Sequence, residues 1–548
     1  MLKPSWTYAI RLSTSLYFRL VCIIMIFLTV VMSVRWGVDQ TFTFKYQKIV
    51  YANPHLKLMS EFEEDAFMEF FSANIGPWSE NLTDSERVVL SDILGTLKSI
   101  TDINDLSEKL LEYLTHEDYF VRAQAAYSLI GLSSQTVVKP LIKALKDDNR
   151  DVRAYSAHAL ADYTYDLALE PLIEALLDED SIVRLQAIHA LVELYDERAL
   201  DPMFELLKHD VDGKVRCYIA QEISKFPSLD VVTQLIRALK DDDERVRCSA
   251  AKSLGDYRFF PAIGTDAYEW AVTHKTGFNL EILEYGATLT EPWIEGLLTL
   301  LKDDDESVRY QAAESLGKNK DERIVKELIK LMIKEGEEEV VAACAAQSLG
   351  NIGNILAVEP LIMMVTTVEI DIFLENFLIA LGKIGDKRAF HPLLKEMKDE
   401  DSEDREHAAV ALGYLGDKRA VKSLIEAMRD EWDYELVSSA AYALGQLGDK
   451  RAVEPLIESL NHEWDDVRSR AVDALIVLGD ERAGKPLIQM LNDNDEYIRG
   501  RSAVGLRKLG GNHAIKPLTL LLEDSSNWVR DMAEKAVDEI QDRITKKE

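Results

Sequence analysis

Histidine and glutamate stand side by side at His116-Glu117 and His462-Glu463, and in reverse order at Glu406-His407. An imidazole next to a carboxylate is a donor pair that a transition metal accepts, so these are the first residues to weigh for chemistry. Acidic runs such as Lys240-Asp241-Asp242-Asp243 and Asn492-Asp493-Asn494-Asp495 offer oxygens to calcium. They lack the glycine and the closing glutamate of an EF-hand loop, and read as helix caps and solvated charge. The four cysteines, Cys22, Cys217, Cys248 and Cys344, have neither metal-knuckle nor redox spacing and read as small buried thiols. No nucleophile elbow, phosphate loop or metalloprotease helix occurs. Whether the histidine–glutamate pairs can converge depends on the elements that carry them.

Those elements repeat. Asp449 to Gly479 reads DKRAVEPLIESLNHEWDDVRSRAVDALIVLG, and near-copies start at Asp417 and Asp480. With the arginine of each Val-Arg (or Ile-Arg) pair as origin, the positions are Arg122, Arg153, Arg184, Arg216, Arg247, Arg309, Arg468, Arg499 and Arg530. Arg405 joins the set, and the Ala-Leu-Gly endings add Phe278, Ala342, Leu374 and Val437. Steps are 31 or 32 residues, with one double step from Arg247 to Arg309 and one of 33 from Arg309 to Ala342. About fourteen units then run from 102 to 541.

Each column of the repeat has a physical job. Four residues before the origin stand Asp118, Asn149, Asp180, Asp212, Asp243, Asp305, Asp401, Asp495 and Ser526, acceptors suited to capping a helix start. Small and apolar residues three, four and seven places after it, as in Ala125, Ala126 and Leu129, share one helical face. Pro140, Pro171, Pro360, Pro392, Pro455, Pro486 and Pro517 mark the start of another helix, the place where a missing N–H is tolerated. Each unit is therefore a helical hairpin, and stacked hairpins bury the faces that one alone cannot. Six residues before the origin comes a second acidic column: Asp147, Asp178, Asp210, Asp241, Asp303, Asp399, Asp493 and Asp524. An origin arginine entering the buried side needs a partner, so arginines and aspartates are expected to form a ladder between successive turns.

The form D-x-R-A-x-x-P-L-I-x-x-L…V-R-x-x-A-A-x-A-L-G resembles HEAT-type repeats of the short kind named after phycobilin lyases, over about four fifths of the chain. The resemblance implies an all-α fold, an α-α superhelix or HEAT-like solenoid that holds another molecule in its groove. Similar repeats build deoxyhypusine hydroxylase, where His-Glu pairs directly after the arginine position bind two irons. Here those positions read Ala123-Gln124, Ala154-Tyr155, Leu185-Gln186 and Tyr310-Gln311, and no unit has His-Glu there. His116 and His462 fall in the acidic turn column, as loop variants. No residue pattern argues for bilin chemistry. The expectation is a non-catalytic scaffold with no cofactor and no metal, the alternative being an oxidoreductase or lyase on the same repeats.

A formal charge of −33 fits this reading. It repels phosphate backbones and suits a protein partner with a basic face, leaving nucleic acid excluded and the oligomeric state open. Apolar residues at 47% and charged residues at 29% exclude a disordered chain. Recognition is assigned to offsets two, five and nine after each origin, opposite the alanine face: Gln124, Tyr127, Tyr155, His158, Gln186, His189, Tyr218 and Gln221. Units at 259–290 and 354–385 keep the period but lose cap, arginine and alanines, and are read as kinks with docking second. Ahead of the repeats, a tail at 1–19 leads to Leu20–Val38, whose apolar run and flanking Tyr17, Trp36, Arg19 and Arg35 read as a retained single-pass transmembrane anchor. Positive-inside counting leans to a cytoplasmic amino terminus with the repeats outside. Residues 39–101 are read as a linker and helical cap, and 542–548 as a charged tail.

Overall fold

The computed structural model describes residues 103–130, 135–162, 166–226, 228–256, 291–334, 336–367, 373–430 and 432–545. The tail, anchor, linker and cap expected at 1–101, and the divergent unit at 259–290, lie outside these residues. Among the described residues no helix is long and apolar enough to cross a membrane. All regular structure among them is helical, and the contacts divide the chain into two compact units, Met1–Phe226 and Pro227–Glu548.

In the first unit four hairpins follow one another: α1 (Ile103–Tyr113) with α2 (Tyr119–Ser128), α3 (Val138–Ala144) with α4 (Arg150–Leu160), α5 (Asp166–Ala175) with α6 (Ser181–Leu194), and α7 (Leu200–His209) with α8 (Gly213–Glu222). The second unit holds α9 (Leu229–Ala238) and α10 (Glu244–Asp256), then a helical stretch at 291–300 paired with α11 (Glu306–Leu316). It continues through α12 (Glu322–Met332), α13 (Glu339–Ile352), α14 (Val358–Thr367), α15 (Leu374–Ile384), α16 (Phe390–Lys398), α17 (Arg405–Leu415) and α18 (Val421–Ala427). The last elements are α19 (Tyr434–Leu447), α20 (Val453–Ser459), α21 (Asp465–Leu478), α22 (Gly484–Gln489), α23 (Glu496–Leu509), α24 (Asn512–Leu520) and α25 (Asn527–Thr545). Each unit is an all-α solenoid, with second helices stacked on second helices around a core of valine, leucine and alanine.

The helix starts follow from their caps. Asp118, Asn149, Asp180, Asp212, Asp305 and Asp495 each accept at least one backbone N–H of the first turn. Asp401 does not, because α17 begins only at Arg405 behind Asp404. First helices are entered through a one-turn 3₁₀ segment such as Lys450–Ala452. There Asp449 Oδ1 accepts the Arg451 amide at 3.0 Å, and the Arg451 guanidinium folds back onto the same carboxylate. That hydrogen bond holds the Asp449 carboxyl down at about 2. Most of the marker prolines then fall third in their helix, where the missing N–H has no partner to lose. Pro171 and Pro517 lie deeper, since α5 and α24 start about a turn earlier. At the far end α25 runs on to Thr545, past the boundary expected at 541, because Arg543 donates to the Lys508 and Gly510 carbonyls and ties the last turns down.

The described residues of the divergent unit at 354–385 stand in the stack: α15 packs between α13 and α17, with Phe377 and Leu378 buried. Around 259–290 the flanking helices meet directly. Helix α10 packs on α11, Arg247 pairs with Asp303, and Ser315 Oγ donates to the Ala251 carbonyl at 2.8 Å. Helices α10 and α11 are thus stacked directly on each other, as successive second helices are elsewhere.

Candidate functional site

The arginine column is a set of ion pairs with one recurring geometry. Arg153 sends Nε and Nη2 to the two oxygens of Asp178 at 2.7 and 2.9 Å, while Nη1 donates to the Asp147 and Asp148 carbonyls of its own turn. The same bidentate fork joins Arg122 to Asp147, Arg184 to Asp210, Arg247 to Asp303, Arg468 to Asp493 and Arg499 to Asp524. Arg309 turns to Glu337, and Arg405 to Asp430 and Asp433. Arg216 donates to the Asp210 carbonyl, and Arg530 to the Asp524 and Ser525 carbonyls. Asp399 takes no arginine among the described residues, since the preceding origin is Leu374; its Oδ1 accepts the Asp401 amide. Burial pushes the Asp178 carboxyl up, but hydrogen bonds from Arg153 and the Asp180 amide outweigh that and leave it below the usual range.

The histidine–glutamate pairs belong to this ladder. His462 Nδ1 accepts the Trp464 amide at 3.2 Å, the bond that an aspartate of the same column makes in other units. The carbonyls of His462 and Glu463 receive Arg468. The preceding second helix has Val437 in place of its arginine, so there is no guanidinium for a carboxylate to meet. His116 likewise accepts the Asp118 amide. His407 lies 3.0 Å from Asp404 and 3.4 Å from Glu406, and the Asp404 bond holds its pKa up. Among the described residues no three histidine, cysteine, aspartate or glutamate side chains converge to hold a metal ion.

On the other face, successive second helices of the first unit bring the stripe residues into contact. Tyr127 meets Tyr155 edge-on, with ring centroids 5.2 Å apart. His158 Nδ1 donates to Gln186 Oε1 at 2.6 Å, and its ring lies 4.9 Å from that of His189. Tyr218 Oη stands 3.3 Å from His189 Nδ1. Burial pushes the Tyr155 hydroxyl up to about 12 and lowers His189, which the neighbouring His158 lowers further. Gln221 is exposed at the end of the row. Gln124, assigned to the exposed face, is instead buried, with no hydrogen bond to its Oε1 among the described residues. Offset two faces back toward the preceding hairpin, as Tyr155 does toward Tyr127, and is the more covered position of the stripe.

A second stripe, unrecognised in the sequence, continues on α17 to α25. Tyr414 and Tyr442 meet edge-on at 6.3 Å, and the Arg470 guanidinium stands 5.5 Å from the Tyr442 ring centre. Arg501 Nε donates to Asp473 at 2.6 Å, Tyr497 reaches the same carboxylate, and Tyr497 stacks on Trp528. The offsets that yield Tyr155 and His158 also yield Arg470, Asp473 and Arg501. The signal was present but weakened by the plain stretch from Ser249 to Glu314.

The family model for HEAT repeats matches residues 107–192, 138–216, 200–267, 294–382, 390–476 and 453–538. No curated protein matches the sequence. Among solved structures, Kap121p bound to Ste12p is 14% identical over 81% of this chain and 54% of its own, with a TM-score of 0.43. Kap95p, in a structure titled for the switch loops of RanGDP, is 12% identical over 80% and 66%, with a TM-score of 0.50. The CpcE–CpcF complex of phycocyanin lyase from Nostoc sp. is 22% identical over 45% and 94%, with a TM-score of 0.31. The chain spans about half the length of Kap121p. At these identities the likeness is one of fold.

Proposed function

The chain belongs to the HEAT-repeat family, and from that premise we propose that it is a non-catalytic scaffold that binds a protein partner on the exposed sides of its second helices. The observation that carries this is the set of contacts between each second helix and the next, from Tyr127 to Tyr218. Aromatic and imidazole rings fixed by their neighbours lose little entropy on binding and offer both apolar area and hydrogen bonds, the properties of interface anchors. The repeat length of 31–32 residues supports placing the units in the short, phycobilin-lyase-like branch of the family. The apolar run at 20–38 supports anchoring of the scaffold to a membrane, which extraction of native membranes at alkaline pH tests: a chain released with peripheral proteins has no such anchor.

Crosslinking in native membranes, followed by partner identification, tests the scaffold reading. A partner captured by the wild-type chain should be lost from a Tyr155→Ala/His189→Ala variant of equal thermal stability. Undiminished capture by that variant removes the assignment. Stoichiometric iron in the purified chain would favour an oxidoreductase on the same repeats.

A further inference from the structure

Two tryptophans of the second unit stand where the repeat has no use for one. The N-cap of a second helix is an aspartate or asparagine that accepts first-turn amides in α2, α4, α6, α8, α11 and α23. In α21 it is Trp464, and no side chain caps the helix. The missing bond is worth about 1 kcal/mol. The indole does not recover this in the core, for Trp464 is 47% exposed and Trp432, in the turn before α19, is 92% exposed. Helices α13, α15 and α17 also lack a side-chain cap, and Asp433 caps α19, so the missing bond alone marks nothing; what sets the two tryptophans apart is large apolar area left to solvent in neighbouring turns.

Its surroundings say what kind of contact. Trp464 and Tyr434 stack with centroids 5.1 Å apart and planes 28° from parallel, a flat surface held in place by its own pairing. Glu463, Asp465 and Asp466 beside it are exposed and make no side-chain ion pair among the described residues. The nearest cations are engaged: Arg468 with Asp493, Arg470 over Tyr442. First-turn carboxylates also complement the helix dipole, which accounts for Asp465 and Asp466 but not for the tryptophans. Aromatic faces attract cations through their quadrupole, and uncompensated carboxylates at the rim add Coulomb attraction while repelling acidic or phosphorylated partners.

We propose that Trp432, Tyr434 and Trp464, rimmed by Glu463, Asp465 and Asp466, form a docking surface for an extended lysine- or arginine-containing segment of a partner protein. The proposal rests on the scaffold reading and gives the chemistry of one partner.

The test is fluorescence anisotropy of a labelled Lys-Gly alternating peptide and its Glu-Gly counterpart with the full chain. The Lys-Gly peptide should bind with an affinity that falls with salt, and the Glu-Gly peptide should not bind. Trp432→Ser/Trp464→Asp gives α21 a cap acceptor in place of the indole, and at a temperature where both chains are folded the variant should bind the Lys-Gly peptide about tenfold more weakly than wild type. Because this variant also gains a negative charge, unchanged or tighter binding would mean simple charge attraction and would overturn the proposal. Asp465→Asn/Asp466→Asn should weaken binding and flatten its salt dependence; no change in either overturns it too. So would equal binding of the Glu-Gly peptide, or a preference for phosphatidylcholine vesicles over the Lys-Gly peptide. Failure here, with crosslinking still dependent on Tyr155 and His189, removes this surface and leaves the scaffold reading standing. The reverse pattern removes the Tyr155–His189 stripe alone.

Discussion

The two units use one repeat and close their second helices together differently. In the second unit the Leu-Gly ending of α13, α15, α17 and α19 places a glycine inside the helix against the next second helix, while α21 and α23 carry Ile476 and Arg507 there. A Cβ at Gly382 would lie 2.5 Å from the Ala411 carbonyl oxygen and 2.8 Å from its Cα, and one at Gly413 would lie 2.8 Å from Ala443 Cα. The first unit has Ile130, Ala161, Val192 and Ser224 at the same offset. Its helix ends differ too: α19 closes on Gly448 at φ 64°, whereas α6 closes on Tyr195 at φ 53°, a left-handed conformation that a non-glycine residue adopts at a cost. Tyr195 is held there by stacking on Phe226 with ring centroids 5.1 Å apart. The difference teaches that the arginine ladder, present in both units, sets the register, while the small-residue column sets how closely neighbours approach.

The largest effect should come from breaking what the units share. Arg153→Met leaves the Asp178 carboxylate covered and unpaired, and Arg468→Met does the same to Asp493; each should cost about 3 kcal/mol in chemical denaturation. A large loss in one unit and none in the other would end the idea of a common ladder. Next comes the contact particular to the second unit. Gly382→Ala gains helix propensity but forces α15 and α17 apart, with a net loss of about 2 kcal/mol expected. A stabilised Gly382→Ala chain would show that close approach is incidental.

The smallest effect, and the one that separates the units most sharply, is with pH. His189 has its pKa lowered by burial and by His158, against Glu193 and Glu222, which raise it, and Lys225, which lowers it. Its contribution is therefore present above the unfolded value of about 6.5 and lost as pH falls through that value. His407 has its pKa raised, chiefly by the Asp404 hydrogen bond, so its contribution is present below about 6.5 and lost as pH rises through the folded value. Hydrogen exchange resolved by peptide, with intrinsic rates corrected, should show α6 less protected at pH 5.5 than at 7.5, and α17 the reverse. The same sign in both would break this contrast.

Much of this was legible in the letters. The 31–32-residue period, the capping column and the alanine face specify helical hairpins, because capping and periodicity act within a few residues. The column that holds His116 and His462 places them in the turns and not among inward-facing side chains. Other features were not legible. Gln124 shares its offset with Tyr155 but is buried, and nothing in its own helix's pattern distinguishes the two. Trp464 reads as a turn residue until its missing cap and its stacking on Tyr434 are seen.

The sequence by itself determined the unit, its two helices and the residue types in each column, since these rest on local hydrogen bonding and on which face is apolar. That the arginine and aspartate columns meet was also expected from charge; only the tertiary structure decided the geometry and which members pair. Residues about 25 places apart become ion-pair partners through stacking, and Arg247 finds Asp303 at 56 because α10 and α11 are neighbours in space. Contact between repeats depends on the distance and angle at which whole hairpins pack, a property of pairs of units that no single unit encodes.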